Sequence, residues 1–164
     1  MGHGSDTLCV SVRRNTTPDL WTNDGSSKRM AVQCVVPVSI GELVDKFTIL
    51  TIKLDRVRTP EQRAMVAKEL GYLRPLVESH RVDSELALEL RRINEALWDV
   101  EDQLRCKEGA QSFDDDFIQL ARRVYLLNDR RAELKRAINV SANSCLTEVK
   151  VYAGCYHTPT SNGL

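Results

Sequence analysis

Within the stretch INEALWDVEDQLRCKE, residues 93 to 108, Asn94, Trp98, Glu101, Arg105 and Glu108 recur at helical spacing. Amide, carboxylate and guanidinium groups on one helical edge are the groups that hold small anions and move protons. Similar residues follow at Tyr125, Asn128, Lys135 and Asn139, and Lys46 and Lys53 stand one heptad apart upstream. If these edges converge, Lys46, Lys53, Arg105, Arg131 and Lys135 supply positive charge, and Glu101 or Glu108 serves as acid or base. Arg131 is the most telling of them, because it occupies a position where the apolar spacing of its helix calls for Leu or Val.

A buried charge without a partner costs several kcal/mol, so an inward Arg131 needs one. Two readings supply it. In the structural reading Glu101 or Glu108 pairs with Arg131, while Asn94 and Asn128 bridge and set helix register. In the functional reading the partner is an anionic ligand gripped by the guanidinium fork. Trp98 divides the same way, between an interface residue and a stacking platform. Long Lys and Arg stems can also carry their charges out to water.

These residues need helices to position them, and the sequence predicts four. Ser39-Ile40-Gly41-Glu42 is a capping box, followed by the seam Leu43, Phe47, Leu50, Leu54 and Val57. Thr59-Pro60-Glu61-Gln62 starts a second helix with the seam Val66, Leu70, Leu73 and Val77, and Pro75 predicts a kink or an end near Arg74. Asp83-Ser84 opens a third, with the seam Leu86, Leu90, Ile93, Leu97, Val100 and Leu104 and Gly109 as its C-cap. Ser112 to Asp116 opens a fourth, whose seam runs Phe117, Leu120, Val124, Leu127, Arg131, Leu134 and Ile138 and fades near Ser141. Short turns join them, so the expected fold is mainly α: an antiparallel bundle of about four helices. Val32 to Val38 is β-branched, and CLTEVKVYA, residues 145 to 153, alternates as a strand or an extended tail. A short two-stranded β ladder between them, joining the two ends of the domain, is expected because a lone strand is unstable.

The 164 residues fit one domain with tails, expected as an N-terminal extension over 1–29, a helical domain over 30–152 and a C-terminal tail over 153–164. Residues 1–29 are polar without a sustained period, and Met30 opens the patterned region. Lys plus Arg equals Asp plus Glu at 23 each, which argues against nucleic-acid binding driven by phosphate neutralisation. No apolar run approaches the roughly 18 residues that span a bilayer, and the N-terminus lacks an apolar signal core. The five cysteines are odd in number and widely spaced, which points to reduced thiols and a cytoplasmic location. Neither they nor the three scattered histidines form a zinc pattern, so no metal is expected. With no Gly-rich phosphate loop and no G-x-S-x-G, no cofactor is expected either, and whether the protein is an enzyme stays open.

The segments VPVSIGELVDKFTILTIKLDRV, INEALWDVEDQLRCKE and FIQLARRVYLLNDRRAELKRAIN, then SCLTEVKVY, resemble in order a family of short, mainly bacterial proteins catalogued as a domain of unknown function. The resemblance covers about residues 31–152. It implies domain limits and carries over no catalytic residue. The leading reading is an interaction or accessory module that self-associates or binds a protein partner, since the heptad spacing allows coiled-coil pairing with a second chain. The alternative is an enzyme or binding protein for a small anionic metabolite held between helices.

Overall fold

The computed structural model describes residues 35–151. Each helix begins where a side chain accepts a bond from a backbone N–H that has no partner within the helix. Ser39 caps α1 (Ile40–Arg56) by accepting from the N–H of Glu42 at 3.2 Å. Thr59 caps α2 (Pro60–Ser79), with Pro60 at the first position and Gln62 donating to Thr59 Oγ1 at 3.3 Å. Asp83 caps α3 (Ser84–Gly109) by accepting from Glu85 and Leu86. Asp114 caps α4 (Asp115–Ser141) by accepting from Phe117 at 3.0 Å.

The ends depart from the sequence expectation in two places. α2 continues through Pro75 to Ser79 and does not stop near Arg74. Gly109 is the last residue of α3, Ala110 is its C-cap, and the left-handed conformation falls on Gln111, with φ 51°. Bonds from Gln111 N–H to Glu108 and from Ser112 N–H to Lys107 form a six-residue closing turn around Gln111. The same pattern closes α4 around Asn143, with φ 50°, where an Asn tolerates the left-handed region.

α3 and α4 form a long hairpin. Among the described residues, α1 packs on both of them, while α2 packs on α1 alone. The core is therefore three-helical and aliphatic. Val44, Leu90, Leu134 and Ile138 are buried at its centre, with Ile40, Val82, Leu86, Ala87 and Ile93 against them. α1 buries more than the seam read from its spacing. Val44, Asp45, Thr48 and Ile52 are buried as well, because α1 presents one side to α2 and the other to the α3–α4 hairpin.

The expected β ladder is not formed. Residues 35–38 and 145–151 contain no strand, and residues 32–34 and 152–153 of the expected strands lie outside the described residues. The alternation in the second stretch has another cause. Glu148 binds Lys135, and Lys150 Nζ donates to the Asn128 carbonyl at 3.1 Å, so even positions face α4. Val149, between them, and Val151, just after Lys150, stand 79% and 89% exposed. An extended chain laid along a helix shows the same period of two as a strand. The proposed 1–29 extension and 153–164 tail also lie outside the described residues. Among the described residues no helix is long and apolar enough to cross a membrane.

Asp114 gives a pH prediction. Its carboxylate accepts from Lys107 Nζ at 2.7 and 2.8 Å and from the Phe117 N–H, and these bonds hold its pKa down to about 2. A depressed carboxyl contributes stability above its unfolded pKa and loses it as pH falls toward the folded value. Asp114→Asn keeps the cap and removes the charge. Its melting temperature should lie a few degrees below that of the parent at pH 7, and the gap should close between pH 4 and pH 2. A gap unchanged at pH 2 would show the charge to be irrelevant.

Candidate functional site

The polar groups beside the helix seams assemble into separate clusters. The first lies between α1 and α3. Asn94 Nδ2 donates to Asp45 Oδ1 at 2.8 Å and to Thr48 Oγ1 at 3.0 Å, and the Thr48 hydroxyl donates to the Asp45 carbonyl at 2.8 Å. All three residues are buried. Asn94 Oδ1 is buried without a hydrogen-bond partner among the described residues. Such a closed set of short bonds fixes the register of α1 on α3.

The second cluster is a clamp at the other edge of α1. Lys135, on α4, is buried and pairs with Glu42 at 2.5 Å and with Glu148 at 2.6 Å. Burial works against its ammonium, but the bonds to Glu148 and Glu42 outweigh that, and the pKa of Lys135 is raised. Glu148 is held below the usual carboxylate range, first by its bond to Lys135 and further by Lys150 and Arg131. Beside the clamp, the first turn of α1 meets α4 directly. Gly41 N–H donates to Asn139 Oδ1 at 2.6 Å, and Ile40 N–H donates to Ser144 Oγ at 3.1 Å.

Two clefts open on α1. One, of about 210 Å³, is lined by Glu42, Asp45, Lys46, Ile49, Leu50, Lys53 and Glu69. Its charges are mixed, and Lys46 pairs with Glu69 at 2.7 Å. The other, of about 420 Å³, is lined by Lys53, Arg56, Val57, Arg58, Thr59, Gln62 and Trp98. Here the Arg56 guanidinium lies 5.4 Å from the Trp98 ring centre and donates to Asp99 at 2.7 Å.

The eleven residues singled out from the sequence therefore divide. Lys46 and Lys53 line the first cleft, and Lys53 and Trp98 the second. Asn94 belongs to the buried hub and Lys135 to the clamp. Arg131 is half-buried and adds to the positive field at Glu148. Asn128 is half-buried and donates to Val124 of its own helix at 2.9 Å, and Tyr125 is exposed. Glu101, Arg105 and Glu108 are exposed near the end of α3, where Arg105 pairs with Glu101 at 3.8 Å and Asp102 at 2.6 Å. No bond links Arg131 to Glu101 or Glu108 among the described residues.

Sequence reasoning missed Asp45, Thr48, Arg56 and Arg58. The first two look like polar interruptions of a seam, and Arg56 and Arg58 look like the charged end of a helix. Only the position of α3 shows what they face. Among the described residues no group of His, Cys, Asp and Glu could hold a metal ion.

Neither a curated protein nor a solved structure matches the chain. A family model does match it over residues 34–163: the chain belongs to DUF6165, a family of unknown function.

Proposed function

We propose that the protein is an interaction module that associates with a second copy of itself through α2. The observation that carries this reading is the open side of the bundle. Among the described residues α2 packs on α1 alone, and its outer face carries Met65, Tyr72 and Leu76 at 72%, 60% and 50% exposure. Their spacing of seven and four places them in one stripe.

The stripe is bordered on one edge by Glu61 and Lys68, one heptad apart. Neither makes an ion pair among the described residues. An antiparallel second copy centred on the stripe sets Met65 of each chain opposite Leu76 of the other, twice by symmetry, with Tyr72 beside the axis. That self-complementarity supports a second copy as the occupant over an unrelated partner. Exposed Cys106 and Cys145 suit the reducing cytoplasm proposed for it, where they stay as thiols. We take residues 30–152 as the associating unit.

Light scattering on the full chain over a hundredfold concentration range tests the reading. A concentration-dependent dimer is expected. Met65→Glu with Tyr72→Glu should raise its dissociation constant at least tenfold, about 1.4 kcal/mol, without loss of helical circular dichroism. A monomer at every concentration, or a dimer indifferent to these changes, overturns the proposal.

A further inference from the structure

We propose that the cleft between the end of α1, the start of α2 and Trp98 binds a small aromatic phosphate ester. The walls divide by chemistry. Trp98, Val57 and the aliphatic stem of Lys53 offer apolar surface, and Lys53, Arg56 and Arg58 bring three positive charges to one opening. Arg56 is already engaged, bonded to Asp99 and laid over the indole. Neither Lys53 nor Arg58 has an ion-pair partner among the described residues. Two cations without partners beside an apolar wall fit a ligand that carries negative charge on a flat apolar body.

The volume agrees, since about 420 Å³ lies within the range of small-ligand pockets. The first turn of α2 borders the same opening through Thr59 and Gln62, so the positive end of a 20-residue helix adds to the two side chains. A phosphate dianion matches two cations and a helix start better than a singly charged carboxylate does. Among the described residues no carboxylate lines this cleft, whereas the neighbouring one contains Glu42, Asp45 and Glu69. The contrast places anion recognition here and not there. The inference stands apart from self-association, which uses the Met65–Leu76 stripe on the outer face of α2.

The test uses the full chain carrying Trp21→Phe, so that emission reports Trp98 alone. Phenyl phosphate is titrated beside inorganic phosphate, benzoate and phenol. The expected result is a saturable change with phenyl phosphate, at a dissociation constant at least tenfold below those of the other three. Arg58→Ala and Lys53→Ala should each weaken phenyl phosphate at least fivefold, and Arg58 lies outside the helices, so its replacement leaves the fold intact. A ring-independent response, with inorganic phosphate binding equally well, overturns the proposal. So does the absence of saturation, or phenyl phosphate binding unchanged in both variants.

Discussion

Gly41→Ala should lower the melting temperature markedly, while the same substitution at Gly71 should raise it. Both glycines are helical, and alanine is the better helix former by up to about 1 kcal/mol at an interior position. Surroundings decide the sign. At Gly71 a methyl group meets nothing within 4 Å, so the propensity gain stands alone. At Gly41 the added carbon would overlap the carbonyl oxygen of Lys135 and lie 3.0 Å from Asn139 Oδ1. A backbone carbonyl inside α4 cannot swing aside as a side-chain end can. α1 would have to lift, stretching the 2.6 Å bond from Gly41 to Asn139 and the ion pair between Glu42 and Lys135. Overpacking of this kind costs about 1 to 3 kcal/mol, and the lost contacts add to it, so a net loss of about 2 kcal/mol is expected. Paired thermal melts check it; a Gly41→Ala protein as stable as the parent would mean that the helices slide freely there.

How much of this was legible beforehand depends on how local each cause is. The four helices were readable because a cap, a proline at the first turn and an apolar period all act within a few residues. Thr59-Pro60 and Asp83 stand where expected for that reason. The seams were readable for α2 and α3, which present one principal face, and incomplete for α1, which presents two. Val44 and Ile52 sit off the seam of Leu43 and Leu50 because a second pair of helices covers them. The buried hub was half visible. Asn94 stood out as an amide beside an apolar row, but its partners Asp45 and Thr48 are 49 and 46 residues away, and no spacing connects them. Arg131 occupies a seam position yet is only half-buried, since its flexible stem lets the guanidinium reach the edge of α4 near Glu148. The ladder failed for the converse reason: period-two alternation reports an extended chain with one face covered, and it does not say whether a strand or a helix covers it.

The hub offers the larger test, because one atom changes its electrostatics. Asn94→Asp preserves shape and replaces an amide nitrogen, 2.8 Å from Asp45 Oδ1, with a carboxylate oxygen. At neutral pH two carboxylates would then face each other in a site where Asp45 and Asn94 are only 5% and 4% exposed. Each repels the other and neither is well hydrated, so the variant should lose about 3 to 5 kcal/mol, the scale of an uncompensated buried charge. The loss should be pH-dependent with a definite sign. A close carboxyl pair holds one proton more tightly than an isolated carboxyl, so its folded-state affinity for that proton exceeds the unfolded one. Stability is therefore regained as pH falls and the proton bridges the pair, and it is lost as pH rises. In the parent the amide donates to the carboxylate, so no shared proton is needed. Melting curves of the two proteins should diverge at pH 7 and converge near pH 4, where Asn94→Leu, which can share no proton, stays apart from both. Equal stability of Asn94→Asp and the parent at pH 7 would place water in the hub and remove its claim to set the register of α1 against α3.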